Sequence, residues 1–205
     1  MDIINTIYNN ILEGDKYIDK LQIIKNDTIQ TVNQISQSIN YNNSNIYFPM
    51  EIKKYIKSNI KYKTIYKTKI NEKTITLNLY TKNQYSNTKN TNIINKILLI
   101  IYVLNLYTKN IYPKNININI YLTPFKRMMP KNKTDILDSI NVNGGFSTIG
   151  YVNTSHITIY REEEWYKVLI HELFHNLNLD FALMNIDKQA KLLKNIIGVK
   201  SEYLI

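Results

Sequence analysis

A chain of 205 residues, 44% of them hydrophobic, is long enough to bury one sizeable core. It has no cysteine, which excludes disulfides and thiolate metal sites and leaves nitrogen and oxygen donors for any bound metal. The net charge of +10 comes almost wholly from lysine, with Arg127 and Arg161 the only arginines. Lysine here accompanies an excess of Asn, Ile and Tyr, all residues of A/T-rich codons, and a surface selected for phosphate or guanine would use more of arginine's bidentate fork. The charge therefore reads as a solvated face and nucleic acid is not the expected partner, although lysines and tyrosines interleave over residues 53–69.

In chain order, three groups recur at three- and four-residue spacing: Ile4, Ile7 and Ile11, then Ile18, Leu21 and Ile24, and later Ile29, Val32, Ile35 and Ile39. That pattern predicts helices, interrupted near Gly14 and near Asn26 and Asp27. The start of the chain, acidic at Asp2 and without a continuous apolar stretch, does not read as a secretory signal. The polar run NYNNSN, 40–45, is the expected boundary between an N-terminal helical extension, 1–45, and the main domain, 46–205. Pro49 opens a short helix to about Asn59.

The period then changes. KYKTIYKTKI and TITLNLYT alternate residue by residue around NEK and predict a hairpin. After a polar loop, a helix is expected from about Asn92 to Tyr107; its run ILLIIYVL is far short of the roughly 20 residues that cross a bilayer, so a soluble protein with no membrane partner is expected. NININIYLT, 115–123, puts Ile116, Ile118, Ile120 and Leu122 on one side of a strand and asparagines on the other. LTPFKRMMP reads as a loop and NVNGG as a flexible link, and GFSTIGY and SHITIYR follow as short strands. Glu162, Glu163 and Glu164 suit the first turn of a helix whose buried face is Trp165, Val168, Leu169, Leu173 and Phe174. A last helix is expected over 186–196, ending at Gly198, with Ser201 capping a segment that begins at Glu202.

The chemistry concentrates in HELFH, 171–175, which holds two of the chain's three histidines. Residues four apart on a helix differ by about 40° around the axis, so His171 and His175 project together and can share one ion. Two imidazoles completed by a carboxylate and a water form the usual catalytic zinc arrangement. Glu172, turned by about 100° from His171, is poorly placed as a ligand of that ion but well placed as a general base toward its water. A shuffled chain of this composition would contain such a motif in only about one trial in a thousand, so chance is a poor account of it.

HELFH on such a helix resembles the zincin metallopeptidases, in which the segment before the motif supplies an edge strand that pairs with extended peptide substrate; GFSTIGY or SHITIYR stands in that place here. The block 141–181 is also similar to metallopeptidase-like proteins of large DNA viruses, and the resemblance spans about 115–205, with only the five-residue motif specific. It implies an α+β zincin-like domain, with a small twisted mixed or antiparallel sheet, the HExxH helix crossing beneath it and additional N-terminal helices. It also implies Zn2+ as cofactor, a peptide or protein substrate, and a cytoplasmic or virion location. The branch with a glycine three residues past the second histidine and a ligand three beyond does not fit, since Asn178 and Phe181 stand there. The glutamate branch (gluzincin-like) implies Glu202 as third ligand, with Asp180 and Asp187 as alternatives. Asp180, five residues past His175, lies about 140° round the axis, on the wrong side unless the helix ends first.

Other residues read more plainly. His156 fits a half-exposed strand position; Tyr160 and Tyr203 are possible oxyanion donors only in the sense that a chain with 17 tyrosines places one near any site. The competing classes are a zincin-fold protein without catalysis, acting as a structural or binding part, and a basic nucleic-acid-binding protein built on 53–69.

Overall fold

The computed structural model describes residues 2–29, 47–84, 86–108, 112–129, 132, 134, 136, 139–148 and 152–180. Strands β1 (Ile24–Ile29), β2 (Tyr62–Ile70), β3 (Lys73–Thr81), β4 (Asn115–Thr123), β5 (Gly145–Ser147) and β6 (Thr154–Arg161) form one sheet in the order β1-β2-β3-β4-β6-β5. The β1/β2 and β2/β3 pairs are antiparallel, β3/β4 and β4/β6 are parallel, and β5 ends the sheet antiparallel to β6. The β2–β3 turn needs only Asn71 and Glu72, and Asn71 takes the left-handed φ of 52° that asparagine tolerates better than most residues.

Helices α1 (Ile3–Ile18), α2 (Met50–Asn59), α3 (Asn87–Tyr107), the four-residue α4 (Ser139–Val142) and α5 (Trp165–Asn176) complete the described elements. Parallel strands require a crossover, and α3 supplies the one between β3 and β4. Alternation then sorts the strand side chains. Ile75, Leu77, Leu79, Ile116, Ile118, Ile120, Ile157 and Ile159 meet Ile18 of α1, Ile97, Leu98 and Ile101 of α3, and Leu169 and Leu173 of α5 in an aliphatic core. The opposite face carries a smaller aromatic core in which Phe48, Ile52 and Ile56 of α2 and the turn before it cover Tyr80, Tyr121 and Tyr160. The protein is thus mixed α+β, with a six-stranded mixed sheet between helices.

Four local expectations are corrected. Residues 24–29, expected to be helical on either side of a break near Asn26 and Asp27, form β1, because six consecutive residues pair with β2 from Ile24↔Lys67 to Ile29↔Tyr62, and that ladder decides a stretch whose two isoleucines define no period. Helix α1 runs through Gly14, where a Cβ would lie 2.6 Å from Leu99 Cδ1; the glycine lets α1 close on α3 and does not interrupt it. Helix α3 starts at Asn87, ahead of Asn92, because the Ser86 hydroxyl accepts from the Lys89 N–H at 3.2 Å and caps it. Helix α5 starts only at Trp165, and the three glutamates before it are drawn into ion pairs instead: Glu162 with Lys89, Glu163 with Lys126, and Glu164 with Arg127.

That last pairing anchors the helix start. Arg161, fully buried, donates from Nε to the Asn143 carbonyl at 2.8 Å and lies 4.0 Å from Glu164, which Arg127 also reaches at 3.1 Å. Both arginines of the chain therefore converge on one carboxylate at the foot of α5. The expected flexible link NVNGG is likewise a packing device. A Cβ on Gly144 would lie 2.7 Å from Val168 Cγ2, and one on Gly145 would lie 2.7 Å from the Thr158 carbonyl oxygen and 2.9 Å from Val168 Cγ1.

Gly145→Ala should therefore destabilise the fold by about 1–3 kcal/mol, since the obstructing atom is backbone and cannot rotate away. Thermal unfolding measures it, and an unchanged Tm would show that Gly145 does not lie this close to the Thr158 carbonyl of β6. Burial lowers the His156 pKa, so the unfolded chain protonates it near its usual 6.5 while the native chain does not. This contribution is complete above about pH 6.5 and is lost as pH falls toward the lowered native value. The fall of Tm with acidification should be shallower in His156→Gln, and parallel curves would assign it to other groups.

Candidate metal centre

Helix α5 buries Val168, Leu169, Glu172, Leu173 and Asn176, a stripe with helical spacing that faces β5, β6 and α3. Two of those five positions are polar, and each is satisfied by the strands it meets. Glu172, only 7% exposed, accepts a hydrogen bond at Oε2 from the Ser147 hydroxyl of β5 at 2.7 Å. Asn176 accepts from the Ser155 hydroxyl of β6 at 3.0 Å and donates to the Thr148 carbonyl at 3.2 Å. Burial without such partners would cost about 1–3 kcal/mol for each group, so the contacts lock the helix in register with the sheet end.

The flank of α5 that adjoins this stripe beside Glu172 is open. His171 and Phe174 are exposed and His175 is half-buried; Phe174, expected in the buried face, is 40% exposed because the stripe that faces the sheet passes through Leu173 instead. The two imidazoles converge, with Nε2 of His171 and Nε2 of His175 3.1 Å apart and the ring planes at 87°. Nitrogens bound at 2.0–2.1 Å to a common tetrahedral ion lie about 3.3 Å apart, so the pair is close to the spacing that a shared zinc requires. The same distance also suits one Nε2–H donating to the other ring.

Past the motif the chain turns sharply. Asn178 has a left-handed φ of 55°, its N–H donates to the His175 carbonyl, and the Leu179 N–H donates to the Phe174 carbonyl. These are the two hydrogen bonds of a Schellman C-cap, with asparagine in the place usually held by glycine. Because the helix ends at Asn176, Asp180 is carried back to the motif, and its Oδ2 lies against Nδ1 of His175. That is the ring nitrogen remote from His171.

Among the sequence candidates, His175 thus touches both His171 and Asp180, while Glu172, on the same turn of helix, bonds to Ser147. Glu202, Asp187 and Tyr203 lie outside the described residues, and among those described no group of three or more His, Asp or Glu side chains is arranged to hold an ion. His156 and Tyr160 belong elsewhere. They point to the α2 side of the sheet, and the Tyr160 hydroxyl, whose pKa burial raises, donates to the Tyr47 carbonyl. Sequence reasoning missed Ser147, Ser155, Thr148, Asn176 and Asn178. A signal existed for Asn176, which falls four residues after Glu172 on the same stripe as Leu169 and Leu173, where a polar side chain demands a partner.

Asn178 yields a directional test. Both of its side-chain amide atoms are buried without a hydrogen-bond partner among the described residues. Asn178→Gly should leave Tm unchanged or raise it, while Asn178→Ala, which retains the left-handed strain, should lose about 1 kcal/mol. An Ala variant as stable as the Gly variant would contradict the turn.

No protein-family model, no curated protein and no solved structure matches the chain.

Proposed function

We propose that the chain is a zinc-dependent metallopeptidase of zincin-like architecture, with His171 and His175 holding the ion, Glu202 completing the ligand set and Glu172 acting as general base. The observation that carries this reading is the convergence of the two Nε2 atoms at 3.1 Å on the open side of α5, beside a buried glutamate. Imidazole nitrogens and a carboxylate suit zinc, and a third protein ligand leaves the fourth position for solvent or substrate. When bound, zinc supplies a Lewis acid that polarises a peptide carbonyl and makes water nucleophilic near neutral pH.

The chain's own residues supply the rest. Glu172, with Oε2 held by Ser147, keeps its other oxygen to take the proton of the attacking water and to pass it to the departing amine. Strand β5 ends the sheet, so its outer edge is in place to pair with a peptide in extended conformation through backbone hydrogen bonds. The Ser147 hydroxyl ties that edge to the base, so substrate and base share one rigid reference. Phe174, three residues after His171, presents an apolar surface to a substrate side chain.

The test is a zinc determination and a peptide-library assay on the parent and two variants. Glu172→Gln should retain stoichiometric zinc and lose about 100- to 10,000-fold in kcat/KM, the usual contribution of a positioned base. Glu202→Gln should lose zinc. Cleavage by Glu172→Gln at the parent rate, or a folded parent without peptide cleavage, would end the proposal.

A further inference from the structure

The geometry points to Asp180 as a positioning residue for His175 rather than a metal ligand, an inference that rests on the metal site proposed above. The carboxylate lies against Nδ1, whereas Nε2 of the same ring faces Nε2 of His171. A carboxylate only accepts, so the contact selects the tautomer with the proton on Nδ1 and leaves the lone pair on Nε2, where a shared cation would need it. The same contact sets the rotation of the ring. His175 and Asp180 are both partly buried, with side-chain exposures of 30% and 19%, so the interaction is less screened than a surface pair.

The backbone shows why this residue reaches that atom. Continued helix would place a side chain five residues after His175 about 140° round the axis. The turn at Asn178 returns the chain after Asn176 and delivers Asp180 to the far side of the ring. Nδ1 and Nε2 lie on opposite sides of an imidazole, so a carboxylate docked on the first does not reach an ion held by the second. Asp180 therefore does not supply the missing donor, and the third ligand comes from another part of the chain. Carboxylates behind metal-bound imidazoles typically change metal affinity by about 10- to 100-fold when removed.

The experiment measures metal affinity without turnover. The full chain, Asp180→Ala, Asp180→Asn and His175→Ala are titrated with Zn2+ against a chelating fluorophore, and Co2+ loading gives the ligand-field spectrum. Asp180→Ala is expected to weaken Zn2+ binding about 10- to 100-fold, with cobalt bands unshifted because the donor set is unchanged. Asp180→Asn, nearly isosteric and still an acceptor for Nδ1–H, should bind between Asp180→Ala and the parent, and it controls for folding. In the His175→Ala background, Asp180→Ala should add no further loss. Equal affinity of parent and Asp180→Ala overturns the inference while leaving the metal site intact; cobalt bands that report a lost oxygen donor overturn it by making Asp180 a ligand. A parent that takes up neither ion overturns the metal reading itself, and this inference with it.

Discussion

The contact between β5 and α5 is the constraint on which the C-terminal half of the described chain depends. Strand β5 has only three residues, far too few for its own hydrogen bonds to fix it, yet it holds a defined register on β6 from Gly145↔Ile159 to Ser147↔Ile157. What fixes it is proximity to the helix. Gly144 and Gly145 present no side chain to Val168, and a methyl group at either would overlap it. Once the backbone is seated there, Ser147 reaches Glu172 and the Thr148 carbonyl reaches Asn176, so two hydrogen bonds from successive residues clamp the strand along one turn of helix. The chain reaches this position from the loop held by Arg161 and Glu164, so the foot of the helix and the strand are fixed together.

Polar residues on the sheet-facing stripe of α5 make that arrangement specific. Leu, Ile or Val at 172 and 176 would bury as well and would tolerate small shifts of the helix along the sheet. A carboxylate and an amide do not. Each must find its hydroxyl or carbonyl or lose about 1–3 kcal/mol, so only one register satisfies both. With the sheet-facing side of the helix fixed this way, the adjoining flank that bears His171 and His175 has a fixed orientation too. The backbone that carries the imidazoles is thereby held by the core beneath it.

How much of this could be read from sequence depends on whether the controlling interaction is local. Strand β4 was legible because the alternation of Asn and Ile over its first six residues has no helical counterpart, and the β2–β3 hairpin because its two arms are joined by a short polar turn. Helix α2 was legible from Pro49 and its apolar period. Strand β1 was not, since Ile24 and Ile29 carry no period of their own and the pairing partner lies some forty residues away. The motif of the candidate site was legible for the same reason as β4: His171, Glu172 and His175 are neighbours on one turn. Ser147 was not, because its partner is 25 residues distant. Asn178 was read only as a failure to be glycine, although asparagine is the residue that most often replaces glycine where a helix ends in the left-handed region.

A helix that served only to cover the sheet would place leucine at 172 and 176 and glycine at 178. Here one short segment buries a carboxylate, buries two amide groups and accepts a positive φ at a residue with a side chain. Each departure costs about 1–3 kcal/mol unless compensated, and the unpartnered amide of Asn178 is not compensated among the described residues. Such strain persists where the surrounding structure holds it in place, and it gathers where geometry has a use beyond stability. All three departures here bear on the same few atoms: the free oxygen of Glu172, the paired Nε2 atoms, and the carboxylate behind His175. An ordinary surface pair of histidines would need none of them, since two exposed imidazoles four residues apart exchange a hydrogen bond without any buried support.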